Sequence, residues 1–375
     1  MIKTKIFANY LPQFYANDDN DAFWGKGFTD WSALKNATPQ YPGHKQPIVP
    51  FNKYYYDLSD PLVLKWQAEL AKKNRIDGFC IYHYWFKDGK KALNVPGENL
   101  LTNKEIGIEY FFAWDNHSWT RSWSGIKGNS WAPSFDGVTK TEKEILLEVN
   151  YGDKSEWEKH FMYLLPFFQD ERYLKINNKP VFVIFTDINN SLLRKMKEHW
   201  NRLASENGIA GISFISQTDC RFFSRSEYFY TYQPSIVWNK KRAFVERVLK
   251  SIGFSLPAKL DICDYEFAWK KIVNRATLTL SPKALYCGVV SFDDTPRRGP
   301  KARILTNPSP QLFRKYFKRL YRLSCTRNKE IIFLTAWNEW GEGAYLEPSS
   351  EYKFKYLEMI KEIVCEFENE KNECS

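Results

Sequence analysis

The chain has 375 residues, 43% of them hydrophobic, enough to bury the core of one large domain. Its net charge of +10 is spread along the sequence in short runs such as Lys240-Lys241-Arg242, with no nucleic-acid-binding motif. That excludes a nucleic-acid partner and reads as a solvated basic surface, with anionic glycans or anionic membrane lipids as the second reading. Seven scattered cysteines form no C-x-x-C pair, and no apolar stretch is long enough for a signal-peptide core or a membrane span, so a cytoplasmic protein with free thiols is expected.

In chain order, short runs rich in Ile, Val, Phe or Tyr occur at 5–10, 78–84, 109–114, 180–185, 212–216, 227–232, 284–291 and 330–337. Such runs read as parallel strands buried on both faces, which need no polar alternation. Helical segments separate most of them. Ser59-Asp60-Pro61 supplies a cap and a first-turn proline for 62–74, and Asn190 precedes 191–207, which stops at Gly208. Ser309-Pro310 opens 311–323, and Ser349 or Ser350 opens a last helix running to about 366. The fifth and sixth runs are close together, so the helix between them is short or degenerate. Eight strand–helix repeats predict an α/β fold, a (β/α)8 TIM barrel forming a single domain over 1–375, with an open doubly wound sheet as the alternative. The long connections 11–58, 115–178 and 233–283 read as loops and small helices elaborating that barrel. The first two follow strand carboxyl ends, where barrel sites are built.

Aromatic residues make up 17% of the chain, many in polar surroundings. A large aromatic core covers most of them, and a ring-lined cleft, whose flat faces suit the C–H faces of sugars, covers the rest. Six expected strands end in polar and aromatic residues. The endings are Tyr10 through Gln13, His83-Tyr84-Trp85, Trp114-Asp115-Asn116-His117 with Trp119, Tyr232-Gln233, Asp293-Asp294 and Trp337-Asn338-Glu339. Their convergence on one face predicts a polar pocket. His83 reads as a substrate contact, the alternative being a packed core histidine. His44, His160 and His199 read as structural or surface residues.

The most informative ending runs Trp337-Asn338-Glu339-Trp340-Gly341-Glu342-Gly343. Its glycines permit a tight turn that aims two carboxylates into one cavity. Two neighbouring carboxylates resist simultaneous ionisation, which yields an acid and a base at one site, as glycosidic chemistry requires. The alternative is a pair of solvated loop glutamates. Arg297-Arg298 read as an exposed basic turn, as recognition of a substrate phosphate or carboxylate, or as a salt bridge to Asp294 that orients the pocket. Asp19-Asn20-Asp21 matches the D-x-D of metal-dependent transferases but reads as loop. The five histidines show no metal-ligand spacing, and there is no Gly-rich phosphate loop, so no metal and no cofactor are expected.

Several of these segments together resemble the WbsX-type proteins, which carry a domain similar to glycoside hydrolase family 99. Tyr10-Leu11-Pro12-Gln13-Phe14 and Phe23-Trp24-Gly25-Lys26-Gly27-Phe28-Thr29-Asp30-Trp31 open the match. Gly43-His44-Lys45-Gln46-Pro47, the 56–61 and 78–86 segments, Trp119-Thr120-Arg121-Ser122-Trp123, Asp294-Thr295-Pro296-Arg297-Arg298 and the 338–348 segment continue it. The resemblance covers about residues 5 to 363 and implies a (β/α)8 barrel. It also implies that Glu339 assists the substrate's own 2-hydroxyl in attacking the anomeric carbon, and that Glu342 is the general acid and later the base, with retention of configuration. Trp24 and Trp31 join the pocket through the same motif. Two departures stand out. Position 341 is Gly where the characterised hydrolases usually carry His, and His117 stands where close relatives carry an acid. The expected substrate is an oligosaccharide or lipid-linked glycan of surface-polysaccharide (O-antigen or capsule) assembly, with peripheral membrane contact as a secondary expectation. The rival readings are a sugar-nucleotide-dependent glycosyltransferase and a non-catalytic glycan-binding assembly protein.

Overall fold

The computed structural model describes residues 3–120, 145–187, 190–217, 226–238 and 259–373. Lys240-Lys241-Arg242, Arg121-Ser122-Trp123 and most of the link between the fifth and sixth expected strands lie outside them.

Eight strands fall on the eight expected runs: β1 (Lys5–Tyr10), β2 (Gly78–Trp85), β3 (Glu109–Trp114), β4 (Lys179–Ile184), β5 (Ser213–Ser216), β6 (Tyr228–Phe229), β7 (Tyr286–Val289) and β8 (Ile331–Thr335). They pair in the order β6-β5-β4-β3-β2-β1-β8-β7, every pair parallel. Beyond the ends of that path, a single parallel bridge joins Phe229 to Ala284. It is made by Phe229 N–H donating to Lys283 O at 3.0 Å and Leu285 N–H to Phe229 O at 2.8 Å. The result is an α/β fold whose parallel sheet curls around a filled interior. The rings of Phe7, Phe111, Tyr230 and Phe333 pack against one another there, with Tyr230 stacked on Phe333 at 3.9 Å between centroids.

The helices are α1 (Asp18–Trp24), α2 (Asp30–Lys35), α3 (Pro61–Lys73), α4 (Val95–Thr102), α5 (Lys154–Gln169), α6 (Ser191–Glu206), α7 (Tyr265–Leu278), α8 (Thr295–Arg298), α9 (Pro310–Thr326) and α10 (Lys355–Glu373); α1, α2 and α8 lie in the connections that follow β1 and β7, and the others pack on the outer face. The foreseen caps are present. Asp60, Asn190 and Ser309 side chains accept from backbone N–H groups of the first turns of α3, α6 and α9. Three expectations are corrected. Asp19-Asn20-Asp21 is helical, within α1, rather than a loop. The last helix begins at Lys355, because residues 349–354 form turns, with Ser349 Oγ accepting from Tyr352 N–H and Ser350 N–H donating to Val49 O. The connections 115–178 and 233–283 hold full helices, α5 and α7, of 16 and 14 residues.

Candidate functional site

The chain beyond β8 is clamped before it turns. Trp337 N–H donates to Asn9 O at 2.7 Å. The Asn338 side chain clasps Leu11, accepting from its N–H at 2.8 Å and donating to its carbonyl at 2.9 Å. Asn338–Glu339 then pairs antiparallel with Ala344–Tyr345 across a single helical turn at Trp340–Glu342. Gly343 closes the turn at φ 59°, a left-handed conformation that costs glycine no Cβ clash. Asp293 N–H donates to Glu342 O at 2.7 Å, which ties the turn to the end of β7.

This frame delivers both acids to one guanidinium. Arg297 Nη2 lies 3.2 Å from Glu339 Oε2, and Nη1 lies 2.8 Å from Glu342 Oε1. A third carboxylate completes the cluster: Asp30, at the first turn of α2, takes Arg297 Nη2 at 3.1 Å and Nε at 3.3 Å. Asp30 also accepts from Gly341 N–H at 3.1 Å. A Cβ at 341 would lie 2.4 Å from Asp30 Oδ2 and 2.7 Å from Arg297 Nε. Glycine at this position is therefore what lets Asp30 and Arg297 meet. Glu339 is buried, 3% exposed, whereas the Glu342 side chain is 24% exposed. Burial, and after it the Glu342 charge, push the Glu339 carboxyl up to about 8 against the pull of Arg297. At neutral pH Glu339 holds a proton beside three ionisable partners.

A hollow of about 260 Å³ lies next to the cluster, lined by Gln13, Trp24, Tyr84, Asp115, His117, Ser118, Trp119 and Thr120. Two features join it to the acids. Gln13 O accepts from Asp30 N–H at 3.2 Å, and the Tyr84 hydroxyl feels the charges of Glu339, Arg297 and Asp30. Tyr82 and Tyr232, whose hydroxyls are 3.4 Å apart, face Glu339 from β2 and the chain after β6. His117 Nδ1 sits 2.6 Å from Asp115 Oδ1, and its Nε2 2.8 Å from Thr186 Oγ1. The hydrogen bond to Asp115 raises the His117 pKa above the ordinary value, against burial.

Of the expected pocket residues, the structure brings Gln13, Trp24, Tyr84, Asp115, Trp119, Tyr232 and Arg297 around the hollow and the two acids. Others lie elsewhere, for a reason set by strand alternation. Tyr82 and Tyr84 face the acids, so His83 and Trp85 face the helices. His83 Nε2 meets His160 Nε2 of α5 at 2.8 Å, and burial lowers the His83 pKa to about 3, which makes it the packed core histidine. Trp85 stacks on His160 at 4.4 Å, and Trp114 packs edge-on against the same ring. Tyr10 points at α3, its hydroxyl donating to Gln67 at 2.7 Å. Trp31 is buried against Phe14, Tyr56 and Trp340, and Trp337 against Phe79. Asn116 is spent on the Thr186 backbone and the Tyr151 hydroxyl, and Asn338 on Leu11. Gln233 lines a separate small cavity between β6 and β7. Asp294 makes the foreseen salt bridge, with Arg298 at 2.7 Å, and accepts from Arg303 N–H. His44, read as structural or surface, pairs with Asp293 at 2.7 Å. Among the described residues no group of three His, Cys, Asp or Glu side chains is arranged to hold a metal ion.

Two buried acids escaped the sequence reading. Asp30 is one; Glu347 is the other. Glu347 accepts from Tyr56 Oη at 2.8 Å, Gln67 Nε2 at 2.7 Å and Trp340 Nε1 at 2.6 Å, which fixes the far side of the turn bearing the two glutamates. Glu347→Ala leaves three buried donors unpartnered and is expected to cost about 3 kcal/mol or more in urea unfolding, with Glu347→Gln costing less.

The fold has solved counterparts. The family 99 endo-α-mannosidase from Bacteroides thetaiotaomicron superposes with TM-score 0.56 at 16% identity, covering 99% of this chain and 100% of that one. A glycoside hydrolase-like protein superposes with TM-score 0.58 at 12% identity, covering 97% and 94%. At such identities the likeness is one of fold. In sequence the chain is 27% identical over 367 residues to the uncharacterized protein WxcX of Xanthomonas campestris pv. campestris strain B100, covering 96% of this chain and 49% of that protein. The chain thus spans about half the length of the curated relatives it matches. A family model described as glycosyltransferase WbsX matches residues 6–360, and the chain belongs to that family.

Proposed function

We propose that this chain is a carbohydrate-active enzyme that cleaves or transfers at a glycosidic bond, with Glu339 and Glu342 as its catalytic carboxylates. One observation carries the reading: a buried glutamate and a partly exposed one on two nitrogens of a single guanidinium, beside a ring-lined hollow large enough for sugar. A proton held on one carboxyl beside a second, partly exposed carboxyl supplies an acid and a base at one site, and the proton can pass between them. In this proposal Glu339 assists the substrate's 2-hydroxyl, Glu342 protonates the leaving oxygen and then activates the acceptor, and configuration is retained. Gln13, Trp24, Tyr84, Asp115, Trp119 and Tyr232 hold the sugar. The scaffold is proposed to be one closed (β/α)8 domain, a reading supported by the Phe229–Ala284 bridge. The substrate is an oligosaccharide or lipid-linked glycan of surface-polysaccharide assembly, a setting that rests on the family resemblance alone.

The family's description favours transfer as a second reading. Transfer to a sugar acceptor by the same two carboxylates satisfies it. Dependence on a nucleotide sugar fits the site less well, because the nitrogens of Arg297 are already taken by the carboxyl groups of Asp30, Glu339 and Glu342, which a diphosphate placed there would have to displace. The test is a panel of defined oligosaccharides and lipid-linked glycans, with and without nucleotide sugars and divalent metal, and product stereochemistry read by NMR. Retained configuration without nucleotide supports the proposal. Strict nucleotide dependence overturns it.

A further inference from the structure

Helix α7 buries Tyr265, Ala268, Trp269, Ile272 and Ala276, and among the described residues its other face is exposed. Nine large hydrophobic side chains are exposed among the described residues, and four of them, Ile262, Phe267, Leu278 and Leu280, fall within 262–280. Such residues scattered singly need no explanation; a cluster does. Phe267, Lys271, Asn274 and Leu278 form one stripe at helical spacing, with Lys271 Nζ 4.7 Å over the Phe267 ring. At the end of the stripe Leu278 and Leu280 stand 72% and 78% exposed.

The segment that presents these leucines is held rigidly. Arg327 Nη1 donates to Ala276 O at 2.8 Å and to Thr279 O at 2.9 Å, and its Nη2 to Thr277 O at 2.8 Å. Lys329 Nζ donates to Ser281 O and Pro282 O, both at 2.9 Å. In these bonds the two cations meet carbonyl dipoles rather than carboxylates. From 261 to 283 the sequence carries Lys270, Lys271, Arg275 and Lys283 against Asp261, Asp264 and Glu266; Asp264 caps α7 by accepting from Phe267 N–H, and Glu266 is paired with Lys315 at 3.0 Å and Lys270 at 3.6 Å.

We infer that this flank docks the protein on an anionic lipid surface. The argument is charge complementarity joined to apolar anchoring: leucines and a phenylalanine enter the headgroup boundary while the flanking lysines meet lipid phosphates. Either signal alone gives marginal binding, and the flank carries both. Because α7 runs along the outside of the sheet, docking on it leaves the acid pair open at the strand carboxyl ends. The inference does not depend on what those acids do.

Flotation of the full chain with phosphatidylcholine vesicles, with and without phosphatidylglycerol, tests it. Binding to the anionic vesicles alone, released by high salt, is expected. Leu278→Ser with Leu280→Ser, and separately Lys270→Glu with Lys271→Glu, should each lower the partition coefficient about tenfold or more with unchanged circular dichroism. Lys154→Glu with Lys195→Glu, the same charge change on other helices, should leave it within about twofold if position and not net charge governs binding. Failure to bind anionic vesicles, or equal loss in all three variants, overturns the inference. So does a chain that self-associates in sedimentation and becomes monomeric in the leucine variant, since the flank would then be a contact between copies.

Discussion

Changing Glu339 or Glu342 to glutamine is expected to lower cleavage of the glycan substrate about 10³-fold or more while the fold survives. Glutamine keeps an oxygen toward Arg297 but cannot exchange a proton. The two losses should differ in kind. The family resemblance makes Glu342 the acid, whereas in this structure the proton rests on Glu339, whose carboxyl burial holds up to about 8. For both to be true the proton has to pass to Glu342 when sugar fills the hollow. An aryl glycoside whose leaving group needs no protonation separates the two. Glu342→Gln should still release the aryl group in a first-turnover burst, with steady turnover limited by activation of the acceptor, and Glu339→Gln should show no burst. The reverse pattern would exchange the roles. The shared proton is present below about pH 8 and leaves above it, so wild-type turnover should fall as pH rises through about 8. In Glu339→Gln the residual rate should lack that limb. If both variants bind glycan and neither loses function, the protein is a binding module and the enzyme reading fails.

The acid pair is legible because it lies in one short segment, with one glycine between the two acids and another after the second. The strands were legible because each is a continuous apolar run. The rest of the site was not, and the causes are specific. Asp30 occupies the first turn of α2 behind a Thr29–Ser32 capping box, where an acid ordinarily reads as complement to the helix dipole. Nothing local shows that it reaches Arg297, distant in sequence. His83 and Trp85 were grouped with Tyr84 as one strand end, although a period of two separates them. With Tyr84 taken as inward, parity would have assigned Tyr82 to the site and the other two to the helices. Helix α5 was hidden by Pro166 within it and by the apolar run of its last turns. His117, which the family resemblance sets where an acid is expected, is hydrogen-bonded to an acid two residues before it, Asp115.

Arg297→Met is expected to destabilise the protein by about 3–5 kcal/mol near pH 8, a loss large enough to unfold a marginally stable domain. Methionine fills similar volume but leaves Asp30, Glu339 and Glu342 facing one another without a cation. Arg297→Lys should recover little, because one ammonium cannot replace three nitrogens that each hold a carboxylate. The sign of the pH dependence follows from proton binding. Without Arg297 the folded-state Glu339 carboxyl rises further above its unfolded value, because the pull of the guanidinium is lost. Its contribution is then complete below the unfolded glutamate value and is lost as pH rises through the folded one. The defect should therefore be small near pH 5 and grow toward pH 8 in urea unfolding. Adding Asp30→Asn removes one of the three charges and should return part of the loss, a coupling measurable in a double-mutant cycle. Gly341→Ala approaches the same defect from the backbone, since its methyl would occupy the space where Asp30 and Arg297 meet. A Gly341→Ala protein as stable as wild type, with an unshifted alkaline limb, would show that this three-carboxylate clamp does not hold the acid pair in place.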